Sequence, residues 1–203
     1  MKLCPEFDQL RNLSAQLGSD SLLVQAAGGN TSIKVDGIMW IKASGTWLRD
    51  AVAKDIFVPL DMVQLKEALH RDDPRCEDCM DFVRVELNPL GLRPSIETSV
   101  HGLMSQRVVL HVHCVNTLAW MIQEDAREIV APRLVGIDWA FVPYARPGLQ
   151  LARAIRAVVS PKTAVLLLQN HGLVVAADTV ADAQRLLCEV VSRLRVPSRK
   201  MQA

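Results

Sequence analysis

Leu110-His111-Val112-His113 is the sharpest chemical feature of the sequence. Alternate residues of a β-strand point to one face, so on a strand these two imidazoles converge. Two neutral imidazoles placed in this way suit a zinc-like divalent ion, at about 2.0–2.1 Å per bond. The same spacing also fits two surface or hydrogen-bonded histidines, and alone it does not choose. His171 stands in Gln169-Asn170-His171-Gly172, a polar stretch between two very apolar runs. A turn there puts the ring at the edge of a sheet, with Gly172 able to adopt backbone conformations closed to other residues. Plain turn chemistry would use the same residues. Three protein ligands with one open position is the pattern of catalytic zinc.

Glu97 lies in Arg-Pro-Ser-Ile-Glu-Thr-Ser, where Pro94 and Ser95 read as a helix entry with Ser95 as N-cap. A carboxylate in the first turn complements the helix dipole. It could equally move a proton on a bound substrate. His101 is four residues on and shares that helix face, as a supporting or structural histidine; His70 ends a charged helix and reads as solvated. Gly28-Gly29-Asn30-Thr31-Ser32 and Lys42-Ala43-Ser44-Gly45-Thr46 offer backbone N–H groups beside small polar side chains, as anion pockets do. Ordinary turns use the same residues, and neither segment is a dinucleotide or Walker loop. Cys76-x-x-Cys79 lacks a second pair at finger spacing and reads as exposed thiols.

These residues need a scaffold. Helical periodicity covers Glu6–Leu17, and strand-length runs follow at Leu22–Gln25, Thr31–Val35 and Met39–Ala43, with Asp36-Gly37 as a hairpin turn. Phe57–Leu60 reads as a strand, Met62–His70 as a helix and Arg71–Asp81 as an exposed loop. Ser95–Gln106 reads as a helix, Val108–His113 as a strand and Asn116–Gln123 as a helix. Beyond them come a strand at Trp139–Tyr144, a helix at Leu149–Val159, strands at Ala164–Gln169 and Leu173–Ala177, and a helix at Val180–Leu194. Strands and helices mix without strict alternation, which predicts an α/β, three-layer α/β/α fold around a largely antiparallel sheet, in a single domain over residues 1–203.

With 203 residues and a net charge of +1, basic and acidic side chains interleave, which gives no clustered basic face for nucleic acid or anionic membrane. The first eight residues carry charges and no apolar core of a signal peptide, no membrane-length apolar run occurs, and five scattered cysteines read as free thiols; a cytoplasmic location is the expectation.

Taken in order, Gly-Gly-Asn-Thr-Ser near residue 30, Lys-Ala-Ser-Gly-Thr near 44, Pro-Ser-Ile-Glu at 94–97, His-Val-His at 111–113 and Gln-Asn-His-Gly at 169–172 resemble the class II aldolase/adducin family. The resemblance runs from about Leu10 to Leu194. It implies an α/β/α domain assembled as a homotetramer, with zinc or another divalent metal on His111, His113 and His171, and Glu97 as proton shuttle. It also implies that Asn30, Ser44, Gly45 and Ser95 hold the phosphate of a sugar phosphate. The expected reaction is retro-aldol cleavage of a ketose or ketose phosphate through a metal-stabilised enediolate. Epimerases, sugar-acid decarboxylases and methylthioribulose-phosphate dehydratases use similar sites, and adducin-like members keep the fold for assembly without the ligands. This chain has all three histidines and the glutamate, in line with the catalytic branch. It departs from the family pattern at Ile96, where a second serine is usual. Its one tyrosine, Tyr144, lies in a segment other than the one that carries the aldolases' proton donor.

Overall fold

The computed structural model describes residues 4–197. Helix α1 (Pro5–Ser19) starts with proline in its first turn, followed by Glu6 and Asp8, which favour the positive end of the helix dipole. Its buried stripe of Phe7, Leu10, Leu13 and Leu17 lies against the sheet. Strands β1 (Asn30–Val35) and β2 (Ile38–Lys42) form a hairpin closed by Asp36 and Gly37, both left-handed at φ 49° and 77°, as a two-residue turn of this kind requires. After β3 (Phe57–Asp61), the Asp61 carboxylate accepts from the N–H groups of Val63 and Gln64 and so starts α2 (Met62–His70).

The remaining elements are α3 (Thr98–Leu103), β4 (Val108–Val112), α4 (Val115–Met121), α5 (Ala126–Val130), β5 (Trp139–Val142), α6 (Leu149–Arg156), β6 (Val165–Leu168), β7 (Gly172–Ala177) and α7 (Val180–Arg193). Among the described residues seven strands make one sheet in the order β3-β2-β1-β4-β7-β6-β5. Every neighbouring pair is antiparallel except β5 with β6, so the expected three-layer α/β/α architecture with a largely antiparallel sheet is the one observed.

Strand parity sorts the two cores. Val108, Leu110 and Val112 of β4 pack with residues of α1, α5 and α7 on one face. On the other face Val109 packs with Val100 and Met104 beside α6, while α2 covers Met39, Ile41, Val58 and Leu60. His111 shares the parity of Val109, so its ring lies on the α3 side of the sheet.

Four expectations need correcting. Leu22–Gln25 is a turn rather than a strand: the Asp20 carboxylate accepts from Leu22 N–H, and the Asp20 carbonyl from those of Leu23 and Val24. The helix expected over Ser95–Gln106 spans only Thr98–Leu103, and Glu97 rather than Ser95 sits at its N-cap. Pro94 pairs with Ala43 in an isolated β-bridge, which keeps the backbone extended to that point. At the other end Met104 is extended, and the Lys34 ammonium takes the carbonyls of Met104 and Gln106. Arg71–Asp81 winds into short 3-10 turns, and Cys76 and Cys79 are buried against Phe82 and α2 rather than exposed. The short helix α5 has no apolar periodicity long enough to mark it in the sequence.

The outer ends of the 1–203 domain expectation, and the charge at Lys2 used in the signal-peptide reading, lie outside the described residues. No helix among the described residues is long and apolar enough to cross a membrane.

Candidate active site

Strand β4 runs antiparallel to both of its neighbours, so its C-terminal end meets the starts of β1 and β7. Asn30, the first residue of β1, is the register partner of His111. His113 follows β4 directly, and His171 precedes β7, next to the left-handed Asn170 (φ 53°). The sheet thus delivers three histidines and an asparagine to one rim from three strands.

The rings cluster tightly. Centroid separations are 4.9 Å for His111–His113, 5.0 Å for His111–His171 and 5.5 Å for His113–His171, and one ligand atom from each lies within 4.8 Å of the others. Nδ1 of His111 donates to the Leu173 carbonyl at 3.2 Å, which fixes the tautomer and leaves the Nε2 lone pair free. That Nε2 faces His113 Nε2 at 3.1 Å. Two ligands of one tetrahedral zinc, at 2.0–2.1 Å each, stand about 3.3 Å apart. The donor set therefore fits a divalent ion, and the histidine triad is positioned to bind one.

Glu97 completes the cluster from α3. One carboxylate oxygen, Oε2, accepts from Asn30 Nδ2 at 2.7 Å and lies 3.3 Å from His111 Nε2; the other, Oε1, is 2.9 Å from His171 Nε2. Asn30 Nδ2 also donates to Ser95 Oγ at 3.1 Å, and Ser95 Oγ accepts the Glu97 N–H at 3.2 Å. Ser95 thus holds the approach to α3 as a turn-forming hydroxyl.

Close backbone packing supports the rings. A methyl group at Gly172 would lie 2.6 Å from the Val112 carbonyl oxygen, 3.1 Å from His111 Cε1 and 3.3 Å from His113 Cδ2. One at Gly28 would lie 2.9 Å from His113 Nδ1. A side chain at either position would force its neighbours to shift, so both positions favour glycine.

Burial sets the electrostatics. Desolvation pushes His111 down to about 4, against the pull of Glu97, and lowers His113 as well. Burial alone would raise the Glu97 carboxyl, but His111, His171 and the Asn30 hydrogen bond together hold it well below the ordinary carboxylate range. At neutral pH His111 and His113 are neutral imidazoles beside an ionised carboxylate. Lys42, at the end of β2, is a further cation of the site: it is buried, its ammonium donates to the Ala27 carbonyl at 2.9 Å, and burial lowers it to about 8 despite Glu97.

Asn30, Ser95, Glu97 and the three histidines therefore come together. Ser44 and Gly45 do not join the hydrogen-bonded cluster. They lie on an exposed turn beside it, tied to the Ser95 segment through the Ala43–Pro94 bridge, and the Ser44 N–H donates to the Arg93 carbonyl at 2.9 Å. Ile96, between buried Ser95 and Glu97, is half exposed. The tight glycine packing had one sequence signal, the clustering of Gly28, Gly29 and Gly172 around polar residues. The burial of Lys42 had none, since a lysine at a strand end ordinarily reads as solvated.

The chain is similar to known proteins over most of its length. It is 29% identical over 184 residues to an uncharacterized oxidoreductase, YuxG, of Bacillus subtilis, a match covering 85% of this chain but 26% of that protein. The chain thus spans about a quarter of the length of that curated relative. It is 27% identical over 188 residues to a methylthioribulose-1-phosphate dehydratase of Leptospira biflexa, covering 80% of this chain and 90% of the enzyme. Among solved structures, the N-terminal class II aldolase domain of a conserved Thermoplasma acidophilum protein superposes with a TM-score of 0.79 at 25% identity, covering 96% of this chain and 94% of that one. A family model matches residues 8–196, and the chain belongs to the family that it describes, the class II aldolase and adducin N-terminal domain.

Proposed function

We propose that this chain is a metal-dependent carbon–carbon lyase that cleaves a ketose or ketose phosphate by a retro-aldol reaction. The observation that carries the reading is the Glu97 carboxylate standing 3.3 Å from His111 Nε2 and 2.9 Å from His171 Nε2, within an all-histidine donor set. In this reading His111, His113 and His171 hold Zn2+ or another divalent ion, which supplies Lewis-acid stabilisation of charge developing on substrate oxygens. Glu97 is the proton carrier. When the carbon–carbon bond breaks, the bond's electron pair passes into an enediolate, and the ionised Glu97 takes the proton released by the hydroxyl of the departing aldehyde carbon and delivers it to the carbon that held the bond. Asn30 orients that carboxylate through its 2.7 Å hydrogen bond. Lys42, Ser95, Asn30 and the Ser44–Gly45 turn form the wall that receives an anionic group of the substrate. We read the chain as one catalytic domain over residues 1–203, acting as a cytoplasmic homotetramer.

A second reading, dehydration of a ketose phosphate on the same residues, is favoured by the similarity to the Leptospira dehydratase over 90% of that enzyme's length. Incubation of the zinc-loaded protein with a panel of ketose phosphates and free ketoses separates the two: an aldehyde product supports cleavage, and a diketone supports dehydration. Glu97→Gln should lower turnover roughly 10²–10⁴-fold while zinc stays bound. Unchanged turnover in that variant removes Glu97 from the chemistry.

A further inference from the structure

Behind the metal-facing cluster lies a second polar pair that the proposed chemistry does not use. Ser32 and His101 are both fully buried, and Ser32 Oγ lies 2.7 Å from His101 Nδ1. Ser32 is two residues past Asn30 on β1, so the two share a face of the sheet. His101 is one helical turn past Glu97, and its N–H donates to the Glu97 carbonyl at 3.2 Å. Strand and helix are thus joined by two parallel rungs, Asn30–Glu97 and Ser32–His101, each closed at 2.7 Å.

Helix α3 needs such a tether. It has six residues, too few to be stable by itself, and its N-cap side chain makes no capping hydrogen bond. Its apolar contacts, Gly102 against Leu65 and Leu69 of α2 and Val100 against Val109 of β4 beside α6, resist separation but give no directional hold against sliding along β1. A hydrogen bond does, because it weakens steeply with misalignment. The pair is also costly: His101 Nε2 has no hydrogen-bond partner among the described residues, and burial pushes the imidazole down to about 3. A leucine would fill a similar volume without leaving a ring nitrogen unpaired.

We infer that His101, bonded to Ser32, is a positioning residue that sets where Glu97 stands over the histidine cluster. The inference rests on the reading of Glu97 as the proton carrier.

The direct test uses the zinc-free protein and the side-chain amide resonance of Asn30 by 15N NMR, which reports the Asn30–Glu97 bond without metal or substrate. Ser32→Ala and His101→Leu should move that resonance toward the value of a free amide, while His101→Asn, which keeps a polar atom near the Nδ1 position, should hold it. In the zinc-loaded protein, assayed on the ketose phosphate found by the panel above, Ser32→Ala should lower kcat roughly 10–100-fold, the scale of a misplaced reacting group, with KM and zinc Kd within about 3-fold of the parent. An unmoved Asn30 resonance in Ser32→Ala overturns the inference, and so does an unchanged kcat. Should His101→Leu fail to fold, Ser32→Ala decides. Full activity of Glu97→Gln would defeat the reading of Glu97, whereas the NMR comparison judges the tether on its own.

Discussion

Asn30 and Glu97, 67 residues apart in the chain, meet through a 2.7 Å hydrogen bond from Nδ2 to Oε2. The bond gives the two carboxylate oxygens different surroundings: Oε2 faces Asn30 and His111, and Oε1 faces His171. A hydrogen bond to a charged group contributes about 1.5–3 kcal/mol. Asn30→Ala should therefore reduce turnover by roughly 10–100-fold with zinc still bound, as read by steady-state kinetics beside metal analysis. Equal kcat in variant and parent would mean that Glu97 keeps its place without Asn30.

Metal content tests the triad directly. Alanine at His111, His113 or His171 should weaken zinc binding by more than about 100-fold, beyond the effect of losing a supporting partner. In the parent, zinc at 100 times its Kd should stabilise the fold by about 2.7 kcal/mol, seen as a rise in Tm. The three variants should lose that rise. Full zinc occupancy in any one of them would strike that residue from the ligand set.

Gly172→Ala should disturb the same site without removing a donor. The added methyl group would stand 2.6 Å from the Val112 carbonyl oxygen and press on both rings of the His-x-His pair. The expected outcome is a loss of about 1–3 kcal/mol in urea unfolding, with weakened zinc affinity. Parent-like values of both would show that β7 can shift away at little cost.

Stability should depend on pH through the buried imidazoles. His101 and His111 fall from 6.5 to about 3 and about 4 in the folded protein, so between about pH 4 and 6.5 the unfolded chain binds more protons than the folded one. Stability should rise with pH across that window and level off above it. With two groups contributing at about 1.4 kcal/mol per proton and pH unit, the slope near pH 5 should be about 2.5 kcal/mol per pH unit. Urea titrations of the zinc-free protein at pH 4.5, 5.5 and 6.5 measure it; equal midpoints would contradict the burial of both rings as neutral groups.

Thiol reactivity checks the corrected loop. Cys188 is exposed, whereas Cys76, Cys79 and Cys114 are buried, and burial raises the Cys76 thiol to about 11 and Cys79 further still. In the folded protein a thiol reagent should modify Cys188 fastest, with Cys76 and Cys79 reacting only on unfolding. Rapid labelling of the Cys76–Cys79 pair would place it back on the surface.

The parts of the site legible in the sequence are those governed by strand parity and by turn residues. His111 and His113 declare a shared face through their spacing of two, and Asp36-Gly37 marks its hairpin by composition. The misread parts depend on partners far along the chain. Ser95 looks like a helix cap until Pro94 is seen paired with Ala43, and the helix stops at Leu103 because Lys34 takes the carbonyls beyond it. Leu22–Gln25 has the composition of a strand, but Asp20 folds it into a turn. Cys76 and Cys79 sit among charged neighbours in sequence, yet their sulfurs complete a core with Phe82 and α2. His101 reads as a supporting histidine from its spacing to Glu97, but its partner, Ser32, can be named only once α3 lies on β1.

The central place of β4 has a consequence for how the protein matures. Asn30, Glu97, His111 and His171 come from widely separated stretches, and they converge only after β1 and β7 have both docked against β4. Loops of that length close slowly relative to local helix formation. Acquisition of a divalent ion would therefore come late in the folding sequence. A metal-sensitive signal would report completion of the topology, since His171 takes its place only when β7 docks beside β4.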